Sequence, residues 1–449
     1  MVHNWKACRL ADVCQDIDYG YTASAIDTLS GTKFLRITDI VPGFINWDSV
    51  PYCEIANNRL PRYLLSEGDI VIARTGATTG SSAYISKPPQ AVFASYLVRL
   101  KIKRNVCAKF VSLYLKSEQF WNYLRGVLGE KSAQPNASAS TMVEAPLHLP
   151  PLAEQETMAE IFGALNDKIE LNRSLNRTLE SMAQALFKEW FIDFGPVRAK
   201  AEIRRQHPRW TNEQVSRAAL PAVDLENALL FPDSFDEKTA NLPTGWRREP
   251  IGDMVQVLGG GTPSTNESTY WDNGIHYFCT PKDMSSLESP ILLGTERKLT
   301  DSGIEKVGSG LLPKGIVLLS SRAPIGYLAI SGVPVAVNQG IIAMLCGGLL
   351  SNVFVYHWTR SNMAEIISHA NGSTFLEISK RNFKPLKIIC PPSEVTHAFT
   401  GHARELHDKI EANAKQSKLL SRIRDMLLPK LISGEIRIKD AEKLVGKVV

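Results

Sequence analysis

The chain has 449 residues, 44% hydrophobic and 22% charged, with a formal net charge of +5. That length is too great for one ordinary core and predicts two or more domains of a soluble globular protein. The slight positive balance permits a nucleic-acid partner without arguing for one. Seven cysteines, at 8, 14, 53, 107, 279, 346 and 390, form no CxxC and no even framework, so reduced and mostly buried thiols of a cytoplasmic protein are expected. MVHNWKACRL lacks an apolar leader region, and the apolar run Ile341 to Leu350, broken by Gly347 and Gly348, is about half a membrane span. Neither secretion nor a membrane partner is expected.

From the N-terminus, Trp5 opens NWKACRLADV. Short β-branched runs bounded by Gly or Pro, Asp69–Ala73 and Val92–Ile102, predict strands, and the apolar spacing of 108–125 predicts a helix. Residues 1–150 therefore read as a mixed α/β globule. After Pro150-Pro151 only Gly163 interrupts a helical pattern that runs to about Phe191. A heptad with position a at Met158, Leu165, Asn172, Leu179 and Leu186 places d at Ile161, Lys168, Leu175, Met182 and Glu189, with Ile169 and Trp190 beside the polar d sites. That is a coiled-coil seam. This first helix is bounded at 151–195, and 196–240 reads as an inter-repeat linker.

The chain then repeats itself. Trp246 opens GWRREPIGDM at an offset of 241 residues from Trp5, with Ile251 and Asp253 in the places of Leu10 and Asp12. Pro391-Pro392 matches Pro150-Pro151, and Asp408-Lys-Ile-Glu411 repeats Asp167-Lys-Ile-Glu170, both at that offset. Between these anchors the match is looser. LLSEGDIVIARTGATTG (64–80) answers LLPKGIVLLSSRAPIG (311–326), AVFASYLVRL (91–100) answers VAVNQGIIAML (335–345), and Tyr114-Leu-Lys-Ser117 answers Trp358-Thr-Arg-Ser361. Gly315–Leu319 and Val333–Leu345 predict strands and 352–368 a helix, giving a second globule over 241–390.

The second long helix, within 391–440, has position a at Phe399, Leu406, Asn413, Leu420 and Leu427, supported by Ile410, Ile423 and Leu431, with His402 and Gln416 at d. One such helix would read as an amphipathic helix of an ordinary core. Two of equal length, each ending a globule, predict a mutual antiparallel pair. Asn172 and Asn413 then meet at the middle, near a pseudo-two-fold axis, where a buried polar residue fixes register. About 39 residues at ~1.5 Å rise span near 58 Å, against roughly 34 Å for one duplex turn. The expected fold class is α+β: two mixed α/β domains related by a pseudo-two-fold repeat and separated by two long antiparallel coiled-coil helices.

The succession of globule, Pro150-Pro-Leu-Ala-Glu-Gln155, long helix and Phe187-Lys-Glu-Trp-Phe-Ile-Asp-Phe-Gly-Pro-Val-Arg-Ala-Lys200 resembles the specificity subunits of type I restriction–modification enzymes. So do Leu230-Phe-Pro-Asp-Ser-Phe235 and Asn241-Leu-Pro-Thr-Gly-Trp246. The resemblance covers essentially the whole chain. The second helix departs from it, with Pro392-Ser-Glu-Val395 replacing the Leu-Ala-Glu-Gln form. The resemblance implies a non-catalytic subunit whose globules are target recognition domains, each reading one half of a split sequence in double-stranded DNA. The helices would space them and dock two methyltransferase subunits. Those partners would bind S-adenosylmethionine and modify adenine, while motor-nuclease subunits cut unmodified DNA. No cofactor is expected in this chain.

Phosphate contacts need Lys, Arg or small polar donors, and base reading needs Arg, Lys, Asn or Gln at a groove edge. The glycine-flexed loop Arg74–Gly80 offers Arg74, Thr75 and Thr78, with Arg322 as the repeat counterpart. Lys131-Ser-Ala-Gln-Pro-Asn136 offers Lys131, Gln134 and Asn136, paired loosely with Asn371-Gly-Ser-Thr374 and its Ser373 and Thr374. Asn338 and Gln339 end a strand opposite Ser95-Tyr96. A turn-stabilising amide or a solvated cation is the alternative at each position. Asp69 reads as a strand-edge turn residue.

Enzyme signatures are missing. Every Pro-Pro is preceded by Lys, Leu or Cys, so no adenine-methyltransferase Asn/Asp-Pro-Pro-Tyr/Phe motif occurs, and Gly259-Gly-Gly-Thr-Pro lacks the phosphate-loop lysine. His397, His402 and His407 are spaced by five, which does not give the shared helix face of HExxH ligation, and no metal site is expected. Asp233 with Asp236-Glu-Lys238 is superficially nuclease-like, but its carboxylates are too close together. Two rival readings are a nuclease or methyltransferase with an unrecognised site, and a two-headed protein-interaction scaffold without DNA specificity.

Overall fold

The computed structural model describes residues 5–27, 31–40, 45–128, 136–237, 242–372 and 376–446. The chain divides into two compact units, Met1–Ile169 with Leu419–Val449, and Glu170–Lys418. Each holds one globular head and a part of both long helices.

In the first unit Cys14–Tyr19, Leu97–Ile102, Ile70–Ala73 and Ser82–Tyr84 lie in that order in one antiparallel sheet. A second sheet orders Tyr52–Cys53, Thr32–Leu35 and Ala91–Phe93, the last two strands parallel. Lys6–Arg9 pairs with Pro146–Leu149. Every residue of Ile70–Ala73 is buried, which explains its unbroken apolar run. Ile70 and Ile72 join a core with Phe110, Tyr114 and Phe120, while Val71 and Ala73 point the other way into a core with Leu35 and Phe93.

The second unit repeats this order. Gln256–Gly259, Ile341–Leu345, Val317–Ser321 and Ile325–Ser331 take the places of the four antiparallel strands, and Ile291–Leu292 adds a fifth, parallel to its neighbour. Arg297–Leu299, His276–Cys279 and Val335–Val337 form the smaller sheet, and Arg247–Pro250 pairs with Lys387–Cys390. The duplication extends to single hydrogen bonds. Leu10 N donates to Ala145 O at 2.9 Å, and Ile251 N to Leu386 O at 2.8 Å. Ser138 and Ser379 each cap a short helix by accepting from the backbone N–H three residues on.

Two predicted strands prove to be pairs of strands. The runs Val92–Ile102 and Val333–Leu345 each divide at a tight turn, so that Ala91–Phe93 and Val335–Val337 lie in the smaller sheets while Leu97–Ile102 and Ile341–Leu345 lie in the larger. Both parts are buried on both faces, so hydrophobicity alone carries no mark of the break. The helix expected over 108–125 likewise divides into Ala108–Tyr114 and Glu118–Leu128, with the buried Ser117 between them donating to Tyr114 O at 2.6 Å.

The long helices are Leu152–Phe191 and Ser393–Ile432, 40 residues each. Gln155 ties the start of the first to its head: its Oε1 accepts from Cys107 N at 2.9 Å and its Nε2 donates to Pro150 O at 2.7 Å. Thr396, at the equivalent place in the second, donates to Pro392 O at 3.2 Å. The two helices are antiparallel within each unit. In the first unit Ile161, Phe162, Leu165 and Ile169 share a core with Leu420, Leu427 and Leu431, and Arg424 Nη1 donates to Asn166 Oδ1 at 3.2 Å. In the second, Phe187 meets Phe399 edge to face at 5.6 Å between centroids. Such aromatic pairs contribute about 0.5–1.5 kcal/mol beyond the area they bury.

The second line of the seam is one residue further along than the expected d positions. Phe162, Ile169, Asn176, Ala183 and Trp190 are buried, as are Ala403, Ile410 and Leu431, whereas Leu175 and Met182 stand 41% and 53% exposed. Met158, Leu165, Asn172, Asn413, Leu420 and Leu427 are buried, while Leu179, Leu186 and Leu406 are half-buried. In the second unit Asn172 Nδ2 faces Gln416 Oε1 at 2.9 Å, Ser417 Oγ at 3.3 Å and Asn413 O at 3.4 Å, and Asn413 Nδ2 donates to Asn176 Oδ1 at 2.9 Å. Asn176 and Ser417 are themselves repeat partners, so the two asparagines reach across in matching directions.

Residues 196–240, read as a linker, carry helices. Gly195–Gln206, Asn212–Ala219 and Leu225–Leu229 pack together around Lys200, which is fully buried and donates to Ala228 O at 3.0 Å and to Phe231 O. Burial pulls the Lys200 ammonium below its usual range. Asp233, one carboxylate of the nuclease-like set, pairs instead with Arg204 Nε at 2.6 Å.

Within the second unit a buried histidine pair joins the head to both long helices. His357 Nε2 and His407 Nε2 are 2.9 Å apart, and His357 Nδ1 lies 2.7 Å from Gln184 Oε1. Gln184 Nε2 bonds to Ser361 Oγ at 2.6 Å, which orients Oε1 as the acceptor for a proton on His357 Nδ1. The proton between the rings then belongs to His407, whose Nδ1 is buried without a partner. Burial lowers His357 to about 2 and His407 to about 4, helped by the neighbouring imidazole and Arg360 for the first and by Arg404 for the second.

Candidate functional site

In each head the turn that carries the chain between its two sheets lies against the end of the first strand of the larger sheet. In the first head Gly20 N donates to Leu97 O at 3.2 Å and Tyr21 N to Phe93 O at 2.7 Å. A Cβ at Gly20 would stand 2.1 Å from Ala94 O, and one at Gly260, the equivalent position, 1.6 Å from Val337 O. Only glycine fits this approach of backbone to backbone. The result is a mouth in each head, formed by strand ends, the crossover turn and the loop after the central strand.

Arg74 lies at the first mouth. Its backbone bridges the two sides, N donating to Tyr96 O at 3.0 Å and O accepting from Ala137 N at 2.9 Å. Its guanidinium covers the Tyr19 ring at 4.8 Å, and its Nε is buried without a hydrogen-bond partner. Tyr19 is 44% exposed, with its hydroxyl accepting from Ala139 N at 3.0 Å, and Tyr96 is 60% exposed. Thr75 bridges to the exposed Asn136, bringing the two candidate loops together. Thr78 is half-buried in the turn, its carbonyl accepting from Ser81 N at 2.9 Å. Lys131 and Gln134 lie outside the described residues, as do Ser373 and Thr374. Asp69 is 4% exposed, caps Ser66 N at 2.9 Å and lies 3.9 Å from Arg99.

Strand register makes one correspondence exact. Ile70 faces Leu100 and Val317 faces Met344, so Val317 holds the place of Ile70, and counting on from there Arg322 holds the place of Thr75 rather than that of Arg74. The bridges agree: Thr75 pairs with Asn136, and Arg322 with Glu377, the residue that replaces Asn136. Arg322 and Glu377 also approach as an ion pair at 3.6 Å, both partly exposed. Asn338 is half-buried and its Oδ1 accepts from Gly340 N at 2.9 Å, a turn-stabilising bond. Gln339 is exposed and its Oε1 accepts from Thr262 Oγ1 at 2.5 Å.

Three residues at these mouths lie outside the set that sequence reasoning selects. Tyr19 and Tyr96 escape a search for polar donors, although their flat faces beside a cation suit stacking as well. Lys380 lies over Gly259, where a Cβ would meet its Nζ at 3.0 Å. Gly259 takes the place of Tyr19 and Lys380 that of Ala139, so in the second head a cation reaches into the space that an aromatic ring occupies in the first. Among the described residues no group of three or more His, Cys, Asp or Glu is placed to hold a metal ion, and no helix is long and apolar enough to cross a membrane.

Comparison with known proteins adds to this geometry. The family model described as the type I restriction modification DNA specificity domain matches residues 3–181 and again 243–411. The chain is 25% identical to the type I restriction enzyme HindI specificity subunit of Haemophilus influenzae, covering 96% of this chain and 100% of that one. It is 26% identical to the MjaIX specificity subunit of Methanocaldococcus jannaschii, over 83% of this chain and 76% of the relative. The crystal structure of the S subunit of a type I restriction–modification system from M. genitalium superposes with a TM-score of 0.55 at 14% identity, covering 96% of this chain and 97% of that chain, a likeness of fold.

Proposed function

This chain belongs to the specificity subunits of type I restriction–modification enzymes, and we propose that it reads a bipartite target in double-stranded DNA, one half by residues 1–150 and the other by 241–390. The observation that carries this reading is the pair of mouths: one strand order and one glycine approach, repeated, with different side chains at equivalent places. Tyr19, Thr75 and Asn136 in the first head give way to Gly259, Arg322 and Glu377 in the second. A duplicated frame with diverged edges suits two unlike half-sites, since base edges are told apart by which donors and acceptors meet them.

The helices would act as the spacer. Each has 40 residues, about 60 Å at 1.5 Å per residue, more than the roughly 34 Å of one duplex turn. Leu171, Leu175 and Met182 on the first helix and Leu419 and Met426 on the second are exposed outside the seam. Such apolar side chains suit a surface covered by partner subunits, and we assign it to docking two methyltransferase subunits. Catalysis, S-adenosylmethionine binding and cleavage then belong to the methyltransferase and motor-nuclease partners, and the complex works in the cytoplasm.

The decisive experiment maps modified adenines in the host genome with and without this gene. One split motif should vanish on deletion. Exchanging residues 1–150 for those of a relative should then change one half of the motif, and a change in both halves would refute independent reading. DNA binding by the partner-bound complex that ignored sequence would leave a protein scaffold in its place.

A further inference from the structure

Residues 380–387 of the second head, Lys-Arg-Asn-Phe-Lys-Pro-Leu-Lys, carry four cations and no acid; their repeat counterparts 139–146, Ala-Ser-Thr-Met-Val-Glu-Ala-Pro, carry no cation and one acid. The backbones are equivalent. Ser138 and Ser379 cap the two short helices, and Ala145 O and Leu386 O accept the matching hydrogen bonds from Leu10 and Ile251. Only the side chains differ. Lys380, Arg381, Lys384 and Lys387 are all exposed, and none forms an ion pair among the described residues. Some surface cations of this head find carboxylates, as Lys282 with Glu296 at 2.7 Å, Lys314 with Glu411 at 2.7 Å and Arg322 with Glu377 at 3.6 Å, and the strip is set apart by holding four cations within eight residues.

The strip also begins at the mouth. Lys380 lies over Gly259, on the strand that leads to Thr262 and its bond to Gln339. Lys384 follows one helical turn on, its side-chain stem against Gly252. A row of unpaired cations leading away from a base-reading edge fits a phosphate backbone, because each phosphate neutralised releases condensed counterions while carrying no sequence information.

We propose that Lys380, Arg381 and Lys384 form a phosphate-binding strip of the second head with no equivalent in the first, so that the two half-sites are held with unequal electrostatic strength. The proposal rests on the DNA-reading assignment above. Its test uses the complex with the methyltransferase subunits and measures affinity for a duplex carrying the mapped motif, and for a scrambled duplex, between 50 and 200 mM salt. The K380Q/R381Q/K384Q variant should lower the slope of log K against log salt by about 0.9 for each phosphate that is no longer neutralised, thus by about 2.7 for three. The weakening should be shared by both duplexes, and the methylated motif should stay the same. The K380R/R381K/K384R variant should keep the wild-type slope. An unchanged slope in the Gln variant would overturn the inference while leaving the reading intact if the wild-type complex still preferred its motif. So would an altered second half-site, or failure of the Gln variant to assemble with its partners, which would mark the strip as a protein-binding surface. A wild-type complex with no preference for the motif would remove both.

Discussion

Replacing Asn413 by Ala should destabilise the helix pair more than replacing Asn172, although the two hold equivalent places in the repeat. Asn413 Nδ2 donates to Asn176 Oδ1 at 2.9 Å, with Asn413 and Asn176 only 5% and 4% exposed. Truncation strands the Asn176 oxygen in the seam, a desolvation cost of roughly 1–3 kcal/mol, and the lost volume adds to it, for about 2–3 kcal/mol. The two hydrogens of Asn172 Nδ2 are spread over three acceptors, and only Gln416 Oε1 at 2.9 Å is close. Gln416 is half-buried and can turn to water, so losing the Asn172 bonds should cost about 1 kcal/mol beyond the lost volume that the two substitutions share. Urea unfolding followed by helical circular dichroism gives both values from the shift in midpoint at constant slope. Replacing Asn413 together with its partner Asn176 by Leu should restore stability or raise it, since the buried polar pair is then removed whole. Equal effects of the two alanines, or a larger effect at Asn172, would refute this account of the seam.

Other outcomes follow from the same structure. The folded pKa values of His357 and His407, about 2 and 4, lie below the ordinary 6.5, so the unfolded chain binds more protons between those limits. Stability is therefore complete above pH 6.5 and declines as pH falls toward 4. The protection of amides in the second unit, measured against their intrinsic exchange rates at each pH, should fall on acidification from pH 7 to pH 5, and His407→Leu should flatten that response; an unchanged protection would count against the pair. Gly20→Ala and Gly260→Ala should each cost about 1–3 kcal/mol or more, because the obstacle is backbone carbonyl, measurable as a lowered unfolding midpoint. Gly76, at φ +79 with open space around its Cβ position, should cost only about 1 kcal/mol as alanine. Lys200→Ala should leave two buried carbonyls without their donor and loosen the 195–229 helices by about 3 kcal/mol, read as faster proteolysis between Gln206 and Thr211.

What could be read from residues alone was what depends on local period and on repetition. The offset of 241 residues, the proline pairs that start each long helix and the central asparagines are properties of the chain as a string, and each follows from 3.6-residue geometry or from the inability of proline to continue a preceding element. Tertiary pairing decided the rest. Leu175 and Met182 match a seam by composition, yet Ile169, Asn176 and Ala183 face inward, because the partner helix selects which of two neighbouring lines is covered. The breaks in the strand runs near Tyr96 and Asn338 were hidden by burial on both faces. The bridge of Thr75 to Asn136, and of Arg322 to Glu377, joins segments about sixty residues apart that the repeat alone does not bring together. Lys380 and Tyr19 share a place in their two heads although they lie on unrelated elements, a coincidence in space that no spacing along the chain encodes.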